Sequence, residues 1–267
     1  MSRSWPTKLG SYALNASVIL ILVVLILPTF IVIPISFSDT DYIVFPPRGL
    51  SWRWYEEFFA DEDWLRAALF SIRIGVLTTF VAVTIGTMAA LAIIRGRLPA
   101  IGVMSTLVLA PLIVPNITSA IAIYLQFSHW HLSGTTLGFV LAHTVLAVPY
   151  VFIVVSSGLQ RLDPSVEMAA LSLGAARWRT LFEVTLPLIR PSVAAAAVFA
   201  FLASFDETVV SFFISDAETK TLTRKIFEDI DFNLSPIVAA VSTLIVICTL
   251  VLMVLPRLLT EKGRSAA

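Results

Sequence analysis

The chain has 267 residues, 58% of them hydrophobic and 13% charged, with a mean hydropathy of +0.91. A typical soluble domain carries about 25% charged residues, so this chain lacks the charge to coat a water-facing globule, and its 18 basic against 18 acidic residues exclude the basic excess of a nucleic-acid binder. A single cysteine, Cys248, excludes an internal disulfide and a cysteine-built zinc site.

A spanning helix needs about 20 predominantly apolar residues to cross ~30 Å of hydrocarbon at 1.5 Å per residue. The first run without Asp, Glu, Lys or Arg goes from Leu9 to Ser38 and gives a span over about 12–36. Its apolar core exceeds the ~7–15 residues of a signal peptide, and no A-x-A-like site follows, so it reads as a permanent helix. Trp52, Trp54, Tyr55, Phe58 and Phe59 come next, beside an acidic cluster, and suggest an amphipathic interfacial helix in a long loop over 39–66. The second span covers about 70–94. The uncharged run from Leu98 to Gln160 is too long for one span, and the polar break at His129, His131, Ser133 and Gly134 divides it into spans over 100–127 and 135–158.

In the third span, Pro111, Pro115 and Asn116 imply a kink with freed backbone groups, which suits a pathway helix and equally a packing bend. His143, in the middle of the fourth, reads as a buried histidine satisfied by a neighbouring helix. His129 and His131 have a spacing that can chelate, but no carboxylate lies nearby in sequence and no metal site is assigned. After a loop over 159–190, a fifth span covers 191–215, interrupted by Asp206 and Glu207. A loop over 216–231 and a sixth span over 233–256 complete one membrane domain of six helices.

Lys and Arg in the loops set orientation. With the N-terminus inside, Arg3, Lys8, Arg95, Arg97, Arg161, Arg177, Arg179, Arg190, Arg257, Lys262 and Arg264 are cytoplasmic, against seven basic residues outside. Most acidic residues fall in the two longer outer loops. Both termini are therefore expected in the cytoplasm.

The inner loop over 159–190 is the most informative stretch. Asp163 followed by Pro164 is a helix start, and Gly174 closes that short helix in the manner of a C-terminal glycine. A second amphipathic segment, Ala175 to Leu186, is expected to end at Pro187. Physics alone leaves open whether this is a plain linker or a docking knob.

Within the fifth span, carboxylates at membrane depth cost a few kcal/mol and usually face a cavity or a partner. On a continuous helix, Ser204, Glu207, Thr208 and Ser211 fall within one arc of about 100°, with Asp206 on the far side. That stripe suggests that Glu207 faces a wet pathway and Asp206 another helix or the partner subunit; the alternative is that both acids lie at the outer interface and are simply hydrated. A carboxylate in a cavity suits a cationic solute.

Two segments resemble known families. Ala169-Ala170, Gly174 and Val184-Thr185-Leu186-Pro187 match the spacing of the E-A-A-x3-G-x9-I-x-L-P loop of ABC importer permeases. The motif's glutamate falls on Met168, with Glu167 one position early. Ser204-Phe205-Asp206-Glu207-Thr208-Val209-Val210 resembles a segment of the polyamine (spermidine/putrescine-type) permeases, and Leu234-Ser235-Pro236 with Ala239 to Leu244 resembles their last helix.

The resemblance implies an all-α, type I ABC importer permease of the bacterial inner membrane. Its loop would couple through Glu167, Ala169, Ala170, Gly174, Leu186 and Pro187 to a dimer of ATP-binding cassette subunits. A second homologous permease, a periplasmic solute-binding protein and membrane lipid are the other implied partners, and the solute is a polyamine. The chain has no G-x-x-x-x-G-K-[ST] phosphate loop, so no cofactor is expected in it and ATP is used by the partner. No catalytic residue is assigned. The alternatives are a permease for another small solute (an amino acid, opine or anion), a self-contained ion-coupled carrier or channel, and an intramembrane enzyme.

Overall fold

The computed structural model describes residues 8–96, 99–233 and 235–264, with side chains described from 11 to 254. Arg3, Arg97 and Leu234, and the side chains of Lys8, Arg257, Lys262 and Arg264, lie outside what is described.

The described chain is helical and divides into two compact units. The first comprises residues 1–61 and 229–247. It contains α1 (Lys8–Ile35), the short α2 (Arg53–Ala60), and the start of α12 (Ile237–Arg264). The exit of α1 is tied to α2 by buried polar contacts: Ser36 Oγ lies 2.7 Å from the Tyr55 hydroxyl, and Trp54 Nε1 donates to the Ser38 carbonyl at 2.8 Å. The aromatic cluster does form a helix. It buries Trp54, Tyr55 and Phe58 while Trp52 and Phe59 stay exposed.

The second unit comprises residues 62–228 and 248–267. Its elements are α3 (Glu62–Arg95), α4 (Ile101–Ile113), α5 (Asn116–His129), α6 (Thr136–Arg161), α7 (Pro164–Ser172) and α8 (Arg177–Thr180). A π turn (Leu181–Thr185), α9 (Leu186–Phe205), α10 (Val209–Ile214) and most of α11 (Leu222–Phe232) complete it. Its core is the packing of α3, α6 and α9 through small residues: Ala82, Ala90, Ala147, Ala196 and Ala200 are fully buried among Val151, Val155 and Leu159. Lipid tails are as apolar as leucine, so helices in a bilayer gain by close backbone approach rather than by hiding oil from water. Gly86 shows the requirement: a Cβ there would stand 2.6 Å from Val151 Cγ1. A second cluster joins α3, α5, α6 and α10 around Phe139, Ile74, Val210 and Ile214.

Five described helices are long and apolar enough to cross a bilayer, or six where the bent pair of α4 and α5 counts as one span. The second span, 70–94, lies within a helix that begins at Glu62. The third span carries the expected kink: α4 and α5 bend by 96° where Val114 is extended and Pro115 supplies no N–H. One expectation is corrected: the fifth helix over 191–215 is not continuous, since it stops at Phe205 and resumes at Val209.

Candidate functional site

The 159–190 loop is built from backbone chemistry that the sequence announces. Asp163 caps α7 by accepting the Ser165 N–H at 2.9 Å, and Pro164 occupies the first turn. That N–H bond, joined by the Ser165 hydroxyl, holds the Asp163 carboxyl below the usual aspartate range. At the other end Gly174 adopts φ +89°; its N–H bonds the Leu171 carbonyl and the Ala175 N–H bonds that of Ala170. This is the paired bonding of a Schellman turn. A Cβ on Gly174 would meet nothing within 4 Å, so the glycine serves the backbone angle and not the space.

Pro187 does not end the second segment, contrary to the sequence expectation. Helix runs from Arg177 to Phe205, and the missing Pro187 N–H is absorbed by the π turn, where the Leu186 N–H reaches back five residues to the Leu181 carbonyl. A proline ring clashes with the carbonyl four residues before it, and widening that turn by one residue relieves the clash.

Glu167 faces inward and Met168 faces out. Glu167 Oε2 lies 2.8 Å from Arg95 Nε at the end of α3, and its Oε1 accepts the Thr185 hydroxyl at 2.9 Å. Arg95 also donates to the Leu159 and Leu162 carbonyls, each at 2.9 Å. One ion pair thus joins α3, the end of α6, α7 and the π turn. These groups border an open cleft of about 550 Å³, lined also by Met168, Leu171, Arg177 and Leu181. Leu173, Trp178 and Phe182 stand exposed nearby. Ala169 and Ala170 lie on α7, and Leu186 follows the π turn.

At the break between α9 and α10, the polar residues do not form one stripe. Asp206 is exposed, whereas Glu207 and Thr208 are half-buried. Glu207 Oε1 accepts the Val210 N–H at 2.9 Å, capping α10, and the Thr208 hydroxyl donates to the Asp206 carbonyl at 3.1 Å. Ser204 and Ser211 are buried on either side of the break, and both hydroxyls reach one ring: Ser204 Oγ lies 2.9 Å from His143 Nδ1 and Ser211 Oγ 3.1 Å from Nε2. His143 is thus a buried histidine satisfied by a neighbouring helix. Sequence reasoning missed that its two partners flank the acidic pair, and it missed Arg95 and Thr185; the seven-residue interval between the serines was the only available hint. Among the described residues no three His, Cys, Asp or Glu groups converge to hold a metal.

Beyond α10, Lys220, α11 and Ser71 of α3 form a polar cluster. Glu228 meets Lys220 at 2.7 Å and Arg224 at 3.0 Å, the Arg224 guanidinium covers the Phe212 ring, and the Leu222 N–H bonds Ser71 Oγ.

Residues 82–262 match the family described as "Binding-protein-dependent transport system inner membrane component". The chain belongs to that family. It is an inner-membrane transport subunit and not an enzyme.

Among curated proteins it is 30% identical to the spermidine/putrescine transport system permease protein PotC of Haemophilus influenzae, covering 93% of this chain and 96% of that one. It is 32% identical to the putrescine transport system permease protein PotI of Escherichia coli over 82% of this chain and 80% of that one. Among solved structures, the fold matches a bacterial ABC transporter that imports the acidic polysaccharide alginate (TM-score 0.68, 15% identity, 97% of this chain and 98% of that one). It also matches an amino acid ABC transporter (TM-score 0.56, 20% identity, 78% of this chain and 95% of that one).

Proposed function

We propose that this permease component moves a polyamine across the inner membrane by alternating access, with Glu207 and Asp206 meeting the solute's charges. The observation that carries the reading is the acidic pair at the interruption between α9 and α10, both largely apolar helices. Removing a polycation from water is tolerable only where opposite charge meets it, and intramembrane carboxylates at unwound backbone are where solute sites are built. The relatives named for spermidine and putrescine support the same substrate class.

The energy comes from separate ATP-binding subunits seated on the 159–190 loop. The exposed Met168, Leu171, Leu173, Trp178 and Phe182 beside the Arg95–Glu167 clamp support a protein contact there. A second permease completes the pathway, a periplasmic binding protein delivers solute to the outer face, and both termini are cytoplasmic, as the basic residues of the inner segments argue. The test is ATP hydrolysis by the reconstituted complex with its binding protein, measured against a panel of solutes. Putrescine or spermidine should stimulate it. Stimulation by an amino acid, an opine or an anion alone overturns the substrate assignment, and uptake without any ATPase overturns the coupling.

A further inference from the structure

The bonding around His143 has a direction that the distances alone do not state. Ser211 has one hydroxyl proton, and its Oγ also lies 2.8 Å from the Glu207 carbonyl, which can only accept. With the proton given to that carbonyl, Ser211 Oγ accepts from His143 and the ring proton belongs on Nε2. Nδ1 is then an acceptor, and the Ser204 hydroxyl donates to it. The result is a one-way chain: Ser204 to His143, His143 to Ser211, Ser211 to the backbone carbonyl of Glu207.

The Thr223 hydroxyl approaches the same carbonyl at 3.4 Å. The chain starts in the last turn of α9, passes through α6 and returns to α10, crossing the interruption that a continuous helix would not need. His143, Ser204 and Ser211 are all buried, so an orphaned partner has no water to fall back on.

We propose that His143, as the Nε2–H tautomer, is a positioning residue that fixes the Glu207 backbone at the helix interruption and so aims its side chain. This rests on the reading of Glu207 as a solute-meeting group. The half of the ring that matters is Nε2. Glutamine at position 143 can carry an amide N–H toward Ser211, whereas asparagine is too short to reach it and covers only the Nδ1 side.

The experiment measures polyamine uptake by the whole reconstituted complex for His143→Gln, His143→Asn, Ser211→Ala and Glu207→Gln. It also records the ¹⁵N imidazole spectrum of the ring-labelled wild-type and S211A complexes. Expected are a protonated Nε2 and an unprotonated Nδ1, with S211A moving the Nε2 signal. H143N and S211A should each lose roughly tenfold in uptake, with H143Q recovering most of it. A protonated Nδ1, or H143Q and H143N equal in uptake while E207Q is impaired, overturns the positioning chain. Unimpaired uptake by E207Q overturns instead the reading of Glu207 on which it rests. Thermal unfolding of the variants separates misfolding from mispositioning: equal melting of H143Q and H143N with unequal uptake supports positioning, and uptake that merely follows melting counts against it.

Discussion

One helical rod, from Arg177 to Ile214, is interrupted twice, and the two interruptions have different causes. At the loop end the π turn over 181–185 answers a missing donor: Pro187 has no N–H, and the backbone widens to live without it. Deeper in, the gap over Asp206–Thr208 contains neither proline nor glycine. It is made by side chains that compete with the helix for its own groups, through Glu207 on the Val210 N–H, Thr208 on the Asp206 carbonyl and the His143 ring between two serines. A defect in the backbone is written in the local sequence. A defect held by tertiary contacts is not.

The largest effect is expected where the π turn at the loop end is tied down. Arg95→Ala leaves Glu167 and the Leu159 and Leu162 carbonyls without their partner, with both side chains of the ion pair mostly covered. Breaking such a pair should cost about 2–4 kcal/mol, read by thermal unfolding of the assembled complex in detergent. Arg95→Lys keeps the charge but loses the forked geometry and should fall between. An unchanged melting temperature for both would mean that the four segments do not depend on the clamp.

Next comes the deeper interruption. Glu207→Gln keeps an oxygen for the Val210 N–H and removes only the charge, so it separates the cap from the electrostatics. Uptake of a polycation should drop about tenfold, against roughly twofold for the exposed Asp206→Asn. Equal losses would end the distinction drawn between the two acids.

These two tests fall on residues of unequal legibility. The six apolar segments, the Asp163-Pro164 start, the Gly174 stop and the kink at Pro115 could be read from the chain, because each rests on local composition or on one residue's backbone. Arg95 could not be joined to Glu167, since their meeting depends on α3 and α6 packing side by side through alanines and Gly86. The arc of Ser204, Glu207, Thr208 and Ser211 assumed an unbroken helix. Once the helix breaks, the serines turn to His143 while the acids occupy the gap.

A smaller effect separates backbone from packing in the loop. Gly174→Val introduces a β-branched residue at φ +89° into open space, so no neighbour resists it and only backbone strain remains. The cost should be about 1–2 kcal/mol within the loop. Coupled uptake should fall while the rest of the unit melts as before, and Gly174→Asn should recover much of it because asparagine tolerates left-handed backbone. A valine variant with full ATP-driven uptake would show that the Schellman turn does not shape the coupling surface.

The smallest effect compares two carboxylates that cap helices, Asp163 at the start of the 159–190 loop and Glu207 at the gap over 206–208. Asp163 caps α7 with its acid held below the usual range by the Ser165 N–H. A folded-state value below the unfolded one means that the contribution is complete at neutral pH and is lost only as pH falls through the acid range below about 4. Asparagine caps as well as aspartate does, so Asp163→Asn should leave loop protection at pH 7 unchanged in hydrogen exchange and flatten its decline on acidification. A steep loss of protection at neutral pH would show that the charge, and not the hydrogen bond, holds the loop. Glu207 differs under the proposed function: its amide still caps α10, but it gives up the charge proposed to meet the solute. The same kind of substitution should therefore be silent at Asp163, where the carboxylate only builds structure, and costly at Glu207.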